Sequence, residues 1–115
     1  MFLKYGDVII HSGNIGFLKE KDNKFFCMYR KKASVKEIEV PIRFNGIDKG
    51  PFFMKLGFYK LDTYWINPKA INFIKTTKIK DSSHNIHFSF LNGLEIEIVM
   101  DIGRFRAWSD NRIRN

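Results

Sequence analysis

Three stretches of the sequence interleave cationic side chains with aromatic rings. Residues 25–32 read Phe-Phe-Cys-Met-Tyr-Arg-Lys-Lys, and residues 103–108 read Gly-Arg-Phe-Arg-Ala-Trp. Residues 52–61, taken as a strand, place Phe52, Met54, Leu56 and Phe58 on one face and Phe53, Lys55, Gly57 and Tyr59 on the other. Rings beside cations suit the binding of nucleic acid. Bases stack on exposed rings at roughly 1–3 kcal/mol each, while ammonium and guanidinium groups follow the phosphates. On this reading Arg30, Lys31, Lys32, Lys55, Arg104 and Arg106 are the candidate phosphate contacts, and Phe53, Tyr59 and Trp108 the candidate stacking rings. The chain holds 20 Lys and Arg against 12 Asp and Glu, a formal charge of +8. Such a charge attracts polyanions at long range without regard to their sequence.

Residues that could support covalent or metal chemistry are few. Cys27 sits in the apolar run Phe25–Arg30, where a thiol packs as a small hydrophobe; a nucleophile would need exposure and a lowered pKa. His84 and His87 are three apart, a ligand spacing on a helix, but on a strand they point to opposite faces. His87 reads instead as a cross-strand partner of Glu97, and His11 adjoins a turn with no evident partner. One cysteine excludes a disulfide framework and any Cys₂His₂ or Cys₄ zinc site. No serine elbow, glycine-rich phosphate loop or His-Glu-x-x-His helix is present. The expectation is a non-catalytic module with no cofactor.

Other roles compete for the same residues. In a small two-layer β fold, Phe53 and Tyr59 can be core, because a strand apolar on both sides is often buried on both. Residues 104–108 can fold back over one end of the sheet with Trp108 buried. Lysines on strands also guard edges against aggregation. The alternative function is a small protein-binding factor (an inhibitor, an immunity-type protein or a mobile-element accessory protein) docking on an acidic partner, with Arg and aromatic side chains as anchors. A β domain this rich in Phe and Ile also leaves a symmetric homodimer open.

The elements that must position these residues read as strands. The sequence has 15 Ile and 18 aromatics but 3 Ala and 6 Leu, a choice that favours pleated surfaces over helices. Period 2 recurs: Ile38, Val40, Ile42 and Phe44 alternate with Glu37, Glu39, Pro41 and Arg43, and Pro41 marks an edge or bulged strand. Ile86, Phe88 and Phe90 alternate with His87 and Ser89; Leu94, Ile96, Ile98 and Met100 alternate with Glu95 and Glu97. Between those two runs lies Asn92-Gly93, a hairpin signal. A two-residue loop would set Phe90 opposite Glu95. A three-residue loop, Leu91-Asn92-Gly93 with Gly93 left-handed, pairs Phe90 with Leu94, Phe88 with Ile96 and Ile86 with Ile98, so each face is uniform. Turns at residues 12–14, 21–23, 45–51, 62–63 and 81–84 separate the remaining runs. The predicted fold is all-β and mainly antiparallel, a small barrel or two-sheet sandwich of seven to nine short strands, with one short helix near residues 68–74.

The length of 115 residues allows one domain. No apolar run approaches a membrane span of roughly 20 residues, and the opening Met-Phe-Leu-Lys is too short for a signal peptide; a cytoplasmic setting is therefore the expectation. Gly6-Asp7-Val8-Ile9, followed by Gly16-Phe17-Leu18 and residues 25–29, resembles the opening hairpin of SH3-like barrels. Residues 66–74 with 92–98 are similar to a pattern in short bacterial β proteins related to the flagellar protein FlbD. Each resemblance covers under a third of the chain and carries no function.

Overall fold

The computed structural model describes residues 2–5, 8–11, 14–40 and 49–113, with the side chains of 2–10, 30, 31 and 49 left aside. Two antiparallel sheets dominate. The larger has the order β5-β4-β3-β7-β6, from strands β3 (Phe17–Lys21), β4 (Lys24–Lys31), β5 (Ser34–Val40), β6 (Tyr59–Leu61) and β7 (Tyr64–Ile66). The smaller has the order β10-β9-β8, from β8 (Ile71–Lys80), β9 (Ser83–Phe90) and β10 (Glu95–Asp101). Strands β1 (Phe2–Tyr5) and β2 (Val8–His11) pair with each other, and, among the described residues, 8–11 do not pair with 17–21 as an SH3-like opening would have them.

The five-stranded sheet is a middle layer, because its side chains alternate between two cores. From β3, Phe17 joins one cluster and Leu18 the other; from β7, Ile66 and Trp65 divide the same way. On one face Phe17, Leu61 and Ile66 meet Ile86, Phe88, Phe90, Ile96, Ile98 and Met100 of the smaller sheet. On the other, Leu18, Phe25, Cys27, Val40 and Trp65 pack with Phe53 and Phe58. Gly16 sits at a close approach of the layers, since an added Cβ would lie 2.5 Å from Cδ1 of the buried Phe90 ring.

The hairpin of β9 and β10 takes the three-residue register: Ser89 faces Glu95, Phe88 faces Ile96, His87 faces Glu97 and Ile86 faces Ile98. Gly93 has φ +86°, its N–H donates to the Phe90 carbonyl at 2.9 Å, and Asn92 Oδ1 accepts from Leu94 N–H at 3.0 Å. The turn between β3 and β4 holds Asp22 and Asn23 at φ +52° and +62°, the left-handed pair that a two-residue hairpin requires. Strand β5 is an edge, as Pro41 implied, while residues 41–44 themselves lie outside the described residues.

One helix replaces an expected strand, and a second forms where no element was assigned. Residues 52–61 do not form one strand: α1 spans Lys49–Lys55 and strand β6 begins only at Tyr59. Pro51 sits in the first turn, where a missing N–H costs nothing, and Gly57 ends the helix at φ +90°. Phe58 N–H donates to the Phe53 carbonyl at 2.9 Å and Gly57 N–H to Met54 at 3.0 Å, which is a Schellman cap, with the Phe53 and Phe58 rings in contact across it. The second helix, α2 (Ile102–Arg112), starts at Asp101, whose carboxylate accepts from Arg104 N–H at 3.1 Å. The expected helix at 68–74 shrinks to a 3₁₀ turn at Pro68–Ala70, because β8 claims Ile71 onward for pairing with β9.

Candidate functional site

The residues nominated from sequence separate into three groups. Phe53 is fully buried, against the Phe25 and Trp65 rings at 4.9 and 4.8 Å. Trp108 is 6% exposed, edge-on to Phe88 at 6.0 Å. Neither can be a stacking platform. Extracting Phe53 would forfeit about 1.5–3 kcal/mol of burial and leave a cavity behind, against a gain of about 1–3 kcal/mol from one stacked base. The sequence misassigned both for one reason: a ring on a strand covered on both faces, or on a helix folded over a sheet, is core. Arg104 and Arg106 are exposed on α2, and Lys32 is exposed in the turn between β4 and β5, at the opposite edge of the sheet from β6. The side chains of Arg30 and Lys31 lie outside the described residues.

Lys55 and Tyr59 do come together. They line an open cleft of about 490 Å³ between the end of α1, the 3₁₀ turn and the last turn of α2. Lys69, Arg112 and His11 join them there, and among the described residues no carboxylate lines it. The Schellman cap directs the chain from Lys55 back into β6, which sets Tyr59 beside the cleft. Lys69 is placed by buried Asn67, whose Oδ1 accepts from Lys69 N–H at 3.2 Å while its Nδ2 donates to the Ile15 carbonyl at 3.3 Å. The backbone N–H of Asn67 adds a bond to the Gly16 carbonyl at 2.8 Å. Arg112 lays its guanidinium 5.4 Å from the centre of the Tyr59 ring, and its Nε is shielded with no acceptor among the described residues.

Lys69, Arg112 and His11 were not among the nominated residues. Lys69 directly follows Asn67-Pro68, a turn signal that also fixes the backbone beneath that cation, whereas Arg112 and His11 reach the site only through tertiary packing.

The titratable groups elsewhere are structural. Burial pushes the Cys27 thiol up to about 11, so it stays protonated and inert. On the outer face of the smaller sheet His87 meets Glu97 through Nδ1 and Glu95 through Nε2, both at 3.2 Å, and stacks on Phe73 at 6.1 Å. Both nitrogens are thereby engaged in opposite directions, which leaves no convergent metal site. Among the described residues no cluster of His, Cys, Asp and Glu suits a metal ion, and no helix is long and apolar enough to cross a membrane.

No protein-family model and no curated protein matches the chain. A solved structure does match its fold: a LytTr DNA-binding domain of a methyl-accepting/DNA response regulator from Bacillus cereus, with a TM-score of 0.54 at 16% identity over 93% of each chain. At that identity the likeness is one of fold.

Proposed function

We propose that this chain is a non-catalytic nucleic-acid-binding module that grips the sugar-phosphate backbone. The observation that carries the reading is the cleft: Lys55, Lys69 and Arg112 converge in it, with no lining carboxylate among the described residues. Arg104 and Arg106 add exposed cations on either side of the buried Phe105 of α2. The fold supports the reading, since the Bacillus cereus domain that shares it is described as DNA-binding. With Phe53 and Trp108 in the core and Tyr59 against Arg112, base stacking falls away and contact to phosphates remains.

The experiment is binding of labelled single- and double-stranded oligonucleotides at 50 mM salt. Micromolar or tighter affinity for either is expected, with Lys55→Gln/Lys69→Gln weakening it about tenfold or more across unrelated sequences. No binding at 50 mM salt ends the proposal. It then leaves the same cations to an acidic protein partner.

A further inference from the structure

The cleft is larger and less polar than a phosphate contact requires. A bare phosphate is the size of a few waters at about 30 Å³ each, a minor share of a cleft of about 490 Å³. That volume falls in the roughly 300–1,000 Å³ range of sites for small organic ligands. Its walls are divided by chemistry: Lys55, Lys69 and Arg112 supply the cations, whereas Met54, Leu56 and Pro68 supply apolar surface. Met54 is 53% exposed, which leaves its thioether open to a ligand. Arg112 is held against Tyr59, so its fork is pre-oriented and loses less rotamer freedom on binding.

We infer that the cleft binds one nucleotide unit, its phosphate on Lys55, Lys69 and Arg112 and its base or sugar against Met54, Leu56 and Pro68. The inference rests on the backbone-binding reading and deepens it, because the same unit can belong to a strand or be a free mononucleotide. Occupancy by the free form would then compete with the strand for these cations.

The test titrates the full chain with adenosine 5′-monophosphate, inorganic phosphate and adenosine, reading amide and Met methyl shifts by NMR, and repeats the oligonucleotide titration with the mononucleotide present. The nucleotide is expected to bind at least tenfold more tightly than phosphate or adenosine alone, to shift the Met54 methyl and to displace the oligonucleotide. Arg112→Gln and Lys69→Gln should each weaken it about tenfold and Met54→Ala about threefold, with unchanged melting temperature showing that the variants fold. Equal affinity for phosphate and nucleotide, or shifts confined to residues away from the cleft, would overturn the inference. Oligonucleotide binding that Lys69→Gln and Arg112→Gln weaken but that the nucleotide and Met54→Ala leave untouched would overturn it too, while the backbone-binding reading stands. Nucleotide binding in a protein that ignores oligonucleotides would instead uphold the site and end that reading.

Discussion

Asn67 carries more of the site than its type announces. Its side chain is buried and accepts from one segment while donating to another, so Asn67→Ala strands the Ile15 carbonyl and frees Lys69. A buried polar group left unpaired costs about 1–3 kcal/mol, and the variant is expected to melt several degrees lower and to bind oligonucleotides less tightly. Urea unfolding with a parallel binding titration checks both. His87 tests the outer face. Side-chain hydrogen bonds from Glu97 and then Glu95 hold its pKa above the ordinary histidine value, opposed by burial and with Lys75 paired opposite on β8. A raised folded pKa means that the stabilisation is complete below the unfolded value, near pH 6.5, and fades as pH rises through the folded one. The melting difference between the wild type and His87→Gln should therefore hold between pH 5.5 and about 6.5 and shrink from there to pH 8.5. A difference that stays constant over that range would remove the ion pairs from the account. Asp101 works with the opposite sign: the Ser82 hydroxyl and the Arg104 N–H hold its carboxyl down, so its contribution is lost as pH falls through that lowered value.

Among the elements, α1 is defined by its ends. Gly57 has φ +90°, and a Cβ there would meet nothing nearer than Asn67 Oδ1 at 3.9 Å. Strain, not space, therefore sets the effect of Gly57→Ala, at about 1–2 kcal/mol for a left-handed residue with a side chain. Because the cap leads from Lys55 to Tyr59, the variant should also weaken oligonucleotide binding, which calorimetry and anisotropy on one sample would show. Gly16→Ala makes the complementary case, where a Cβ 2.5 Å from the Phe90 ring makes space the limit. Overpacking of about 1–3 kcal/mol is expected there with φ playing no part. Sequence period and turn chemistry made the β9–β10 hairpin legible to the residue, since only one register keeps both faces uniform. The same period misled at residues 52–58, where alternate Phe and Met mimic a strand. Pro51 at the start and Gly57 just past the end mark a helix, and that pairing outweighs an alternation of four apolar residues.

For the whole molecule, the layering explains which parts of the site the sequence could reveal. A sheet that is covered on both faces absorbs rings from every side, so aromatic content alone said little about where rings meet solvent. The cleft joins α1, the 3₁₀ turn and α2, which lie far apart in sequence, and no local pattern specifies that meeting. Lys55 and Tyr59 were legible as a cation beside a ring; Arg112 became their neighbour only because α2 folds back onto the smaller sheet through Phe105 and Trp108 against Phe88. In the proposed function, cations on this surface replace the counterions of a phosphate backbone. The most direct measurement is the affinity for one duplex oligonucleotide from 50 to 200 mM salt. With Lys55, Lys69 and Arg112 engaged, together with one of Arg104 and Arg106, log K should fall against log salt with a slope of about −3 to −4, at roughly 0.9 per phosphate contact, and Lys69→Gln should reduce that slope by about 1. A slope near zero, or one indifferent to Lys69→Gln and Arg112→Gln, would contradict it.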